Sequence, residues 1–161
     1  MKTTTAKFAS ITGVLLAASA YAGIATAHDR LNQSLGAGDT VDYHTMTCSS
    51  AGSTVTRSVV VAVNSKTGSP VTAVIRKLAT GSANYPTAVS LDSTLDGTFS
   101  PLRAATPGGT NANGTYDIYV TKTGSAASTY DLRAHCMSGT GGTGSETGTA
   151  FNSGTNPLFN Q

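Results

Sequence analysis

Short apolar runs separated by turn residues recur from residue 39 to residue 137. The clearest are GTYDIYVTK (114–122), whose Tyr116, Ile118 and Val120 fall on one face, and STYDLRAHC (128–136), in which apolar and polar positions alternate. A period of two is typical of a strand with one buried face. Five further runs have strand character: DTVDYHTMTC (39–48), RSVVVAVNS (57–65), SPVTAVIRKLA (69–79), PTAVSLDS (86–93) and GTFSPLRAA (97–105), where a proline favours an edge position. About seven short strands without helical periodicity predict an all-β fold. We expect an antiparallel, jelly-roll-like β-sandwich, with a small barrel as the alternative.

The first 27 residues have the layout of a secretory signal peptide. Two lysines precede an Ala-rich apolar stretch from Ile11 to about Ala25, and Ala25-Thr26-Ala27 forms an A-x-A cleavage site. Ala20-Tyr21-Ala22 is a second possible site. The stretch is shorter than the roughly 20 residues of a membrane-spanning helix, so we favour cleavage over an anchor. We expect a mature chain that begins at His28, is extracellular or periplasmic, and does not insert into the membrane.

Cleavage changes what the charge implies. The full chain has 10 Lys and Arg residues, 8 Asp and Glu residues, and a formal net charge of +2. Both signal lysines leave with the peptide, so eight basic and eight acidic side chains remain and the mature net charge is zero. Because no basic patch stands out, we expect no nucleic-acid partner.

Cys48 and Cys136 are the only cysteines. In an oxidising compartment, two thiols in one small chain are expected to pair, and Cys136 lies on the apolar side of its strand. The predicted disulfide closes a loop of nearly ninety residues. Chain entropy then gives roughly 4–5 kcal/mol of stabilisation, as an upper figure.

His135 stands next to Cys136, so a thiol–imidazole pair is one alternative. Adjacent strand residues point to opposite faces, so we expect His135 to face solvent and Cys136 to face the core. A metal site is the other alternative. His44 and Cys48 are separated by about 13 Å of extended chain, whereas two zinc ligands lie within about 4 Å of each other. We therefore expect no metal site and no cofactor.

No pattern identifies catalytic residues. A G-x-S-x-G elbow is absent, and although a triad can assemble in space, we expect that the protein is not an enzyme. Asp92 and Asp96 flank a turn but are too few for a typical calcium loop, so turn geometry is preferred and a weak calcium site stays open. Asn113-Gly114-Thr115 fits both a glycosylation sequon and a turn before a strand.

Two segments resemble the bacterial pre-peptidase C-terminal domains. LGAGDTVDYHTMTC (35–48) is similar to their opening strand, where a Gly-Asp turn leads into alternating aromatic and apolar residues. NGTYDIYVTKTGSAASTYDLRAHC (113–136) is similar to their closing hairpin. The resemblance, at the two ends of residues 35–136, implies a small β-sandwich of the kind appended to secreted hydrolases, serving secretion, adhesion or binding without catalysis. The cysteine pair is a departure from that family.

The chain divides into the signal peptide (1–27), the sandwich domain (28–137) and a C-terminal tail (138–161). The tail begins as a flexible Gly/Thr/Ser-rich linker and ends with three large apolar residues, Phe151, Leu158 and Phe159. These residues either pack on their own domain or stay loose, or they insert into another molecule, for instance by completing a neighbour's sheet. The N-terminal arm HDRLNQSLG offers the same possibility.

Together these features predict a secreted, non-catalytic structural or interaction protein. We expect it to associate with itself or with another extracellular protein, as a filament or matrix subunit built by terminal strand exchange. The alternative is a monomeric binding module for a carbohydrate, a protein or an ion, acting with a separate enzyme.

Overall fold

The computed structural model describes residues 29–77, 86–107, 111–152 and 157–160, and the predicted signal peptide lies outside them. This part of the chain forms nine strands of three residues or more, a final two-residue pairing and one short 3-10 turn at Thr140–Gly142. The strands are β1 (Arg30–Leu35), β2 (Val41–Ser49), β3 (Ser58–Thr67), β4 (Val71–Lys77), β5 (Thr87–Asp92), β6 (Arg103–Ala105), β7 (Gly114–Lys122), β8 (Ser128–Met137), β9 (Gly148–Phe151) and β10 (Phe159–Asn160).

Two antiparallel sheets face each other across one core. Sheet A has the order β1-β8-β3-β6, and sheet B has the order β10-β2-β7-β4-β5, with β9 also pairing with β2. The predicted inward faces are confirmed, since Tyr116, Ile118 and Val120 of β7 are fully buried. They meet the inward side chains of sheet A, which include Val59, Val61, Val63, Tyr130, Leu132 and Ala134. The predicted all-β sandwich is therefore confirmed.

The predicted disulfide is also confirmed. Cys48 and Cys136 are bonded, with their Cα atoms 5.6 Å apart and a sequence separation of 88. Cys48 belongs to β2 in sheet B, and Cys136 belongs to β8 in sheet A. The bond therefore staples the two sheets to each other.

Three strands were not among the seven predicted from the sequence: β1, β9 and β10. In β1 the register shifts between Arg30 and Gln33, and Asn32 has a positive φ of 54°. Its backbone N–H donates to Asp131 at 2.8 Å. Such a bulge breaks the period of two, which hides the strand from pattern analysis. β9 and β10 are too short to show a period.

Candidate functional site: the sheet edge under the C-terminal tail

The C-terminal tail forms the outermost strand beside β2. In β9, Phe151 lies opposite Met46 and Thr149 lies opposite Cys48. Farther along, Phe159 of β10 lies opposite Tyr43. Of the two interpretations that the sequence leaves open, the structure shows the tail packed on its own domain. Insertion into a second molecule stays a prediction.

The segment that leads into β9 is hydrogen-bonded along its length. Gly139 N–H donates to Thr143 O at 2.8 Å, and Ser138 N–H donates to Ser145 O at 2.9 Å. Gly142 has a φ of 82°, and a Cβ atom there would lie 2.5 Å from Val60 Cγ1. The glycines predicted to form a flexible linker therefore serve tight turns and a close approach to sheet A.

The tail crosses from sheet A to sheet B beside the disulfide. Thr147 N–H donates to the carbonyl of Cys136 at 2.7 Å, and Cys136 N–H donates to Thr149 Oγ1 at 3.0 Å. The same Thr149 lies opposite Cys48 in the strand pairing. The tail therefore passes from sheet A to sheet B at the disulfide that joins the two sheets.

Phe151 anchors the tail. Its partly buried ring packs against the core. The ring meets the His44 ring edge-on, with 6.3 Å between centroids and an interplanar angle of 82°. The same ring makes a cation–π contact with Arg30, whose guanidinium carbon lies 4.4 Å from the ring centroid. Leu158 is 51% exposed, and the side chain of Phe159 lies outside the described part of the structure.

A buried polar cluster lies beneath this anchor. Asp42 and His44 sit on the inward face of β2, and both are fully buried. The Tyr130 hydroxyl, from β8, donates to Asp42 Oδ2 at 2.6 Å and lies 2.9 Å from His44 Nε2. Because the hydroxyl hydrogen points to Asp42, we assign the imidazole proton to Nε2, which donates to the Tyr130 oxygen. The chain of hydrogen bonds runs from His44 through Tyr130 to Asp42.

Burial sets the charge states of this cluster. Desolvation raises the pKa of Asp42 to about 6, against the opposing effect of the Tyr130 hydrogen bond. Desolvation, reinforced by the Arg30 charge, lowers the pKa of His44 to about 4. In the described part of the chain, Asp42 Oδ1 and His44 Nδ1 have no hydrogen-bond partner. At neutral pH, the cluster therefore holds a neutral imidazole and a costly buried carboxylate.

Sequence analysis missed this cluster, although a signal was present. A disulfide to Cys136, which faces the core, requires Cys48 to face the core as well, and every second residue before it shares that face. This alternation predicts that Met46, His44 and Asp42 also face inward. The sequence predicts only strand character for this run, so the two polar side chains on its inward face were not identified.

His135 lies on the outer face of sheet A, opposite to Cys136 as predicted, but its side chain is only 20% exposed. Its Nδ1 is 2.9 Å from Glu146 Oε1, and its Nε2 is 3.4 Å from Asp29 Oδ1. Asp29 also pairs with Arg133, with 2.7 Å between Oδ2 and Nη2. His135 therefore lies on the expected outer face of the sheet, but its side chain is less exposed than a solvent-facing histidine would be.

The two aspartates considered for calcium cap turns. Asp92 Oδ1 accepts from the Thr94 hydroxyl at 2.9 Å, and Asp96 Oδ1 accepts from the Thr98 hydroxyl at 2.6 Å. This is the turn geometry that the sequence favours. Among the described residues, no group of three or more His, Cys, Asp or Glu side chains is placed to hold a metal ion.

The protein is therefore a β-sandwich whose two sheets are joined by a disulfide and whose C-terminal strands cover the β2 edge of their own sheet. No family model, curated protein or solved structure matches the chain.

Proposed function

We propose that this chain is a secreted, non-catalytic structural protein whose copies join by exchanging the C-terminal strand. The carrying observation is that β9 and β10 cover the edge of β2, where Phe151 of β9 packs against the core. A neighbour's tail can make the same contacts as the chain's own tail, so exchange has a low cost in free energy. Each copy then donates one strand and accepts one, which extends as a filament.

The contacts of the tail, apolar burial and strand pairing, could also hold two copies together. Burying a Phe side chain contributes about 1.5–3 kcal/mol, and the pairing with β2 adds backbone hydrogen bonds. An uncovered β2 edge is a template for another strand. When the tail leaves, the Cys48–Cys136 bond still holds the two sheets together.

The opposite edge of sheet B supports association as well. β5 is the last strand there, and its outward side chains Val89 and Leu91 are 51% and 54% exposed. An exposed apolar edge strand is a second place where a neighbouring chain can add.

An extracellular location fits two further observations. The disulfide is typical of oxidising compartments. Within the residues that the structure covers, there is no helix with the length and apolar character needed to cross a bilayer. The resemblance to pre-peptidase C-terminal domains stays a prediction.

A paired-cysteine experiment tests strand exchange. Thr47 of β2 and Ala150 of β9 lie opposite each other, and directly opposed strand residues have Cα atoms close enough for a disulfide. The variant Thr47→Cys/Ala150→Cys, assembled under reducing conditions that spare the native bond and then oxidised, is expected to give a ladder of covalent oligomers. Oxidation before assembly locks the tail on its own domain and should leave monomers.

The matched control is Thr47→Ser/Ala150→Ser, which should assemble like the wild type and form no ladder. If assembled material contains only intramolecular bonds between positions 47 and 150, the tail is not the connector. If wild-type protein stays monomeric in size-exclusion chromatography and negative-stain microscopy at every concentration, the structural role is refuted.

A monomeric binding module is the second candidate, and a groove on sheet A favours it. The groove has a volume of about 390 Å³. Its lining combines charged residues with apolar ones, Asp29, Arg133, His135, Glu146, Val60, Leu102 and Met137. A clean monomer that binds a ligand in this groove would support this role over the first.

A further inference from the structure

We propose that the side chains of Lys66 and Asn32 join in a covalent amide bond, with Asp131 as the group that moves the protons. Lys66 lies near the end of β3, Asn32 lies in β1, and Asp131 lies on β8, the strand between them. The bond fastens β1 to β3 across β8. It forms once within one chain, so it goes beyond the proposed structural role and depends neither on strand exchange nor on secretion.

Two irregularities of sheet A bring the reacting side chains together. The strand register shifts on both sides of β8, around Asn32 in β1 and around Lys66 in β3. Such bulges redirect side chains and are frequent beside reactive sites. Asn32 also has a φ of 54°, a left-handed conformation that few residues other than glycine adopt. Its backbone N–H donates to Asp131 Oδ1 at 2.8 Å, which holds the residue in place.

The lysine amine lies within reach of the carbon that it attacks. Lys66 Nζ is 2.7 Å from Asn32 Oδ1. Because the carboxamide carbon Cγ is bonded to that oxygen at about 1.23 Å, Cγ lies at most about 4 Å from Nζ. Reacting atoms in a productive complex are about 3–3.5 Å apart, so a movement of about 1 Å or less completes the approach.

Asp131 is placed to transfer protons between the two side chains. Its own side chain is 8% exposed, and each of its oxygens lies 3.3 Å from Lys66 Nζ. Asn64, which lies opposite Asp131 in the strand pairing, donates to Oδ2 at 3.4 Å and steadies the carboxylate. An ion pair needs only the lysine and the aspartate, whereas here the amine also contacts a carboxamide that the same aspartate holds.

The reaction is a transamidation that releases ammonia. Asp131 accepts a proton from the Lys66 ammonium, and the neutral amine forms a bond to Asn32 Cγ. Asp131 then gives its proton to Asn32 Nδ2 and accepts the surplus proton of the lysine nitrogen. The Cγ–Nδ2 bond breaks, ammonia leaves with the proton of Asp131 as ammonium, and one amide remains. Nothing is oxidised or reduced, and the site is open to solvent for the departing ammonia, since the Lys66 side chain is 35% exposed.

Mass spectrometry of the purified, disulfide-bonded protein tests the bond. The intact mass is expected to be lower by one ammonia, beyond the hydrogens lost in the disulfide. Trypsin cleaves after Lys and Arg, so reduced and digested protein should give residues 31–57, with Asn32, joined to residues 58–76, with an uncleaved Lys66, as one branched peptide. Fragmentation of that peptide locates the link.

Four variants, each checked for fold by circular dichroism, assign the roles. Lys66→Arg keeps the charge and Asn32→Gly suits the left-handed backbone, and both should lose the branched peptide completely. Asp131→Asn keeps an acceptor for the Asn32 N–H and should lower the linked fraction about tenfold or more, since positioned proton transfer contributes about 10²–10⁴-fold. Lys122→Arg is the matched control, because the Lys122 amine donates to backbone carbonyls, and it should link fully.

Folded wild-type protein that keeps its full mass and gives residues 31–57 and 58–66 as separate peptides would overturn the proposal. A loss of ammonia without the branched peptide would also overturn it, since another asparagine would then have cyclised. Full linkage in Asp131→Asn would overturn the role of that carboxylate. The assay detects a bond within one chain, so its failure is distinct from a failure of strand exchange.

Discussion

The buried pair Asp42 and His44 should make opposite contributions to stability between pH 4 and pH 6.5. Because both side chains are fully buried and share the Tyr130 hydroxyl, each carries a charge only at a desolvation cost. We expect the two contributions to the unfolding free energy to offset each other in the wild type, so that each is measurable only when the other residue is substituted. The variants are Asp42→Asn, which keeps an acceptor for Tyr130, and His44→Gln, which keeps a donor.

The signs follow from the two pKa values. The pKa of Asp42 is raised from 3.8 to about 6, so its contribution is fully present below pH 3.8 and is lost as pH rises through 6. The pKa of His44 is lowered from 6.5 to about 4, so its contribution is present above pH 6.5 and is lost as pH falls through 4. Each is on the order of 3 kcal/mol, because one pKa unit corresponds to about 1.4 kcal/mol.

In the wild type, the contributions of Asp42 and His44 to the unfolding free energy change with pH in opposite directions and by similar amounts, so their sum changes little. Relative to the wild type, Asp42→Asn should gain on the order of 3 kcal/mol of unfolding free energy between pH 4 and pH 6.5, because only the His44 contribution remains. His44→Gln should lose a similar amount over the same range. All other carboxylates contribute equally to both proteins, so the comparison removes them.

The measurement is urea unfolding of the mature, disulfide-bonded protein at several pH values and constant ionic strength. The double variant Asp42→Asn/His44→Gln is the control and should follow the wild-type profile, shifted by a constant. Parallel profiles for the wild type and both single variants would refute the reasoning, since the two groups would then titrate alike in the folded and unfolded states.

Three further outcomes are expected. Replacing Cys48 and Cys136 together with serine should lower the unfolding free energy by up to about 4–5 kcal/mol, measured by denaturant unfolding, since the closed loop spans 88 positions; an unchanged midpoint would contradict this. The variants Val89→Lys and Leu91→Lys, on the exposed face of β5, should reduce self-association in sedimentation without changing circular dichroism, and equal association would remove β5 from the interface. Intact mass of the secreted protein should correspond to a chain that begins at His28, and retention of residues 1–27 would be inconsistent with cleavage.

Most strands could be predicted because their signals are local. All seven predicted runs contain a strand, and Pro101 correctly indicated that its run would supply only an edge, the three-residue β6. The strands at the two ends of the domain were missed for different reasons. β1 contains a bulge at Asn32, which destroys the alternation, and β9 depends on pairing with β2 more than on its own sequence.

The candidate site was less predictable because it depends on contacts between distant segments. The disulfide followed from counting cysteines, and Phe151 was identified as an apolar residue that a linker would not need. The partners of that ring, Arg30 and His44, come from β1 and β2. No pattern within the tail indicates which strand it will cover, so the choice between its own domain and a neighbour's lies beyond sequence reasoning.

The position of the tail determines what strand exchange would disturb. β1 and the tail lie on the same side of the sandwich, where Arg30 contacts Phe151, while the central pairings of β3 with β8 and of β2 with β7 lie inside it. Release of the tail would therefore uncover the β2 edge and the part of the His44 ring that Phe151 contacts, but would leave the central strands paired. Water that reaches the His44 ring lowers the cost of protonating it. In the proposed strand exchange, a histidine that is costly to charge under the tail would therefore lower the free energy of the open state.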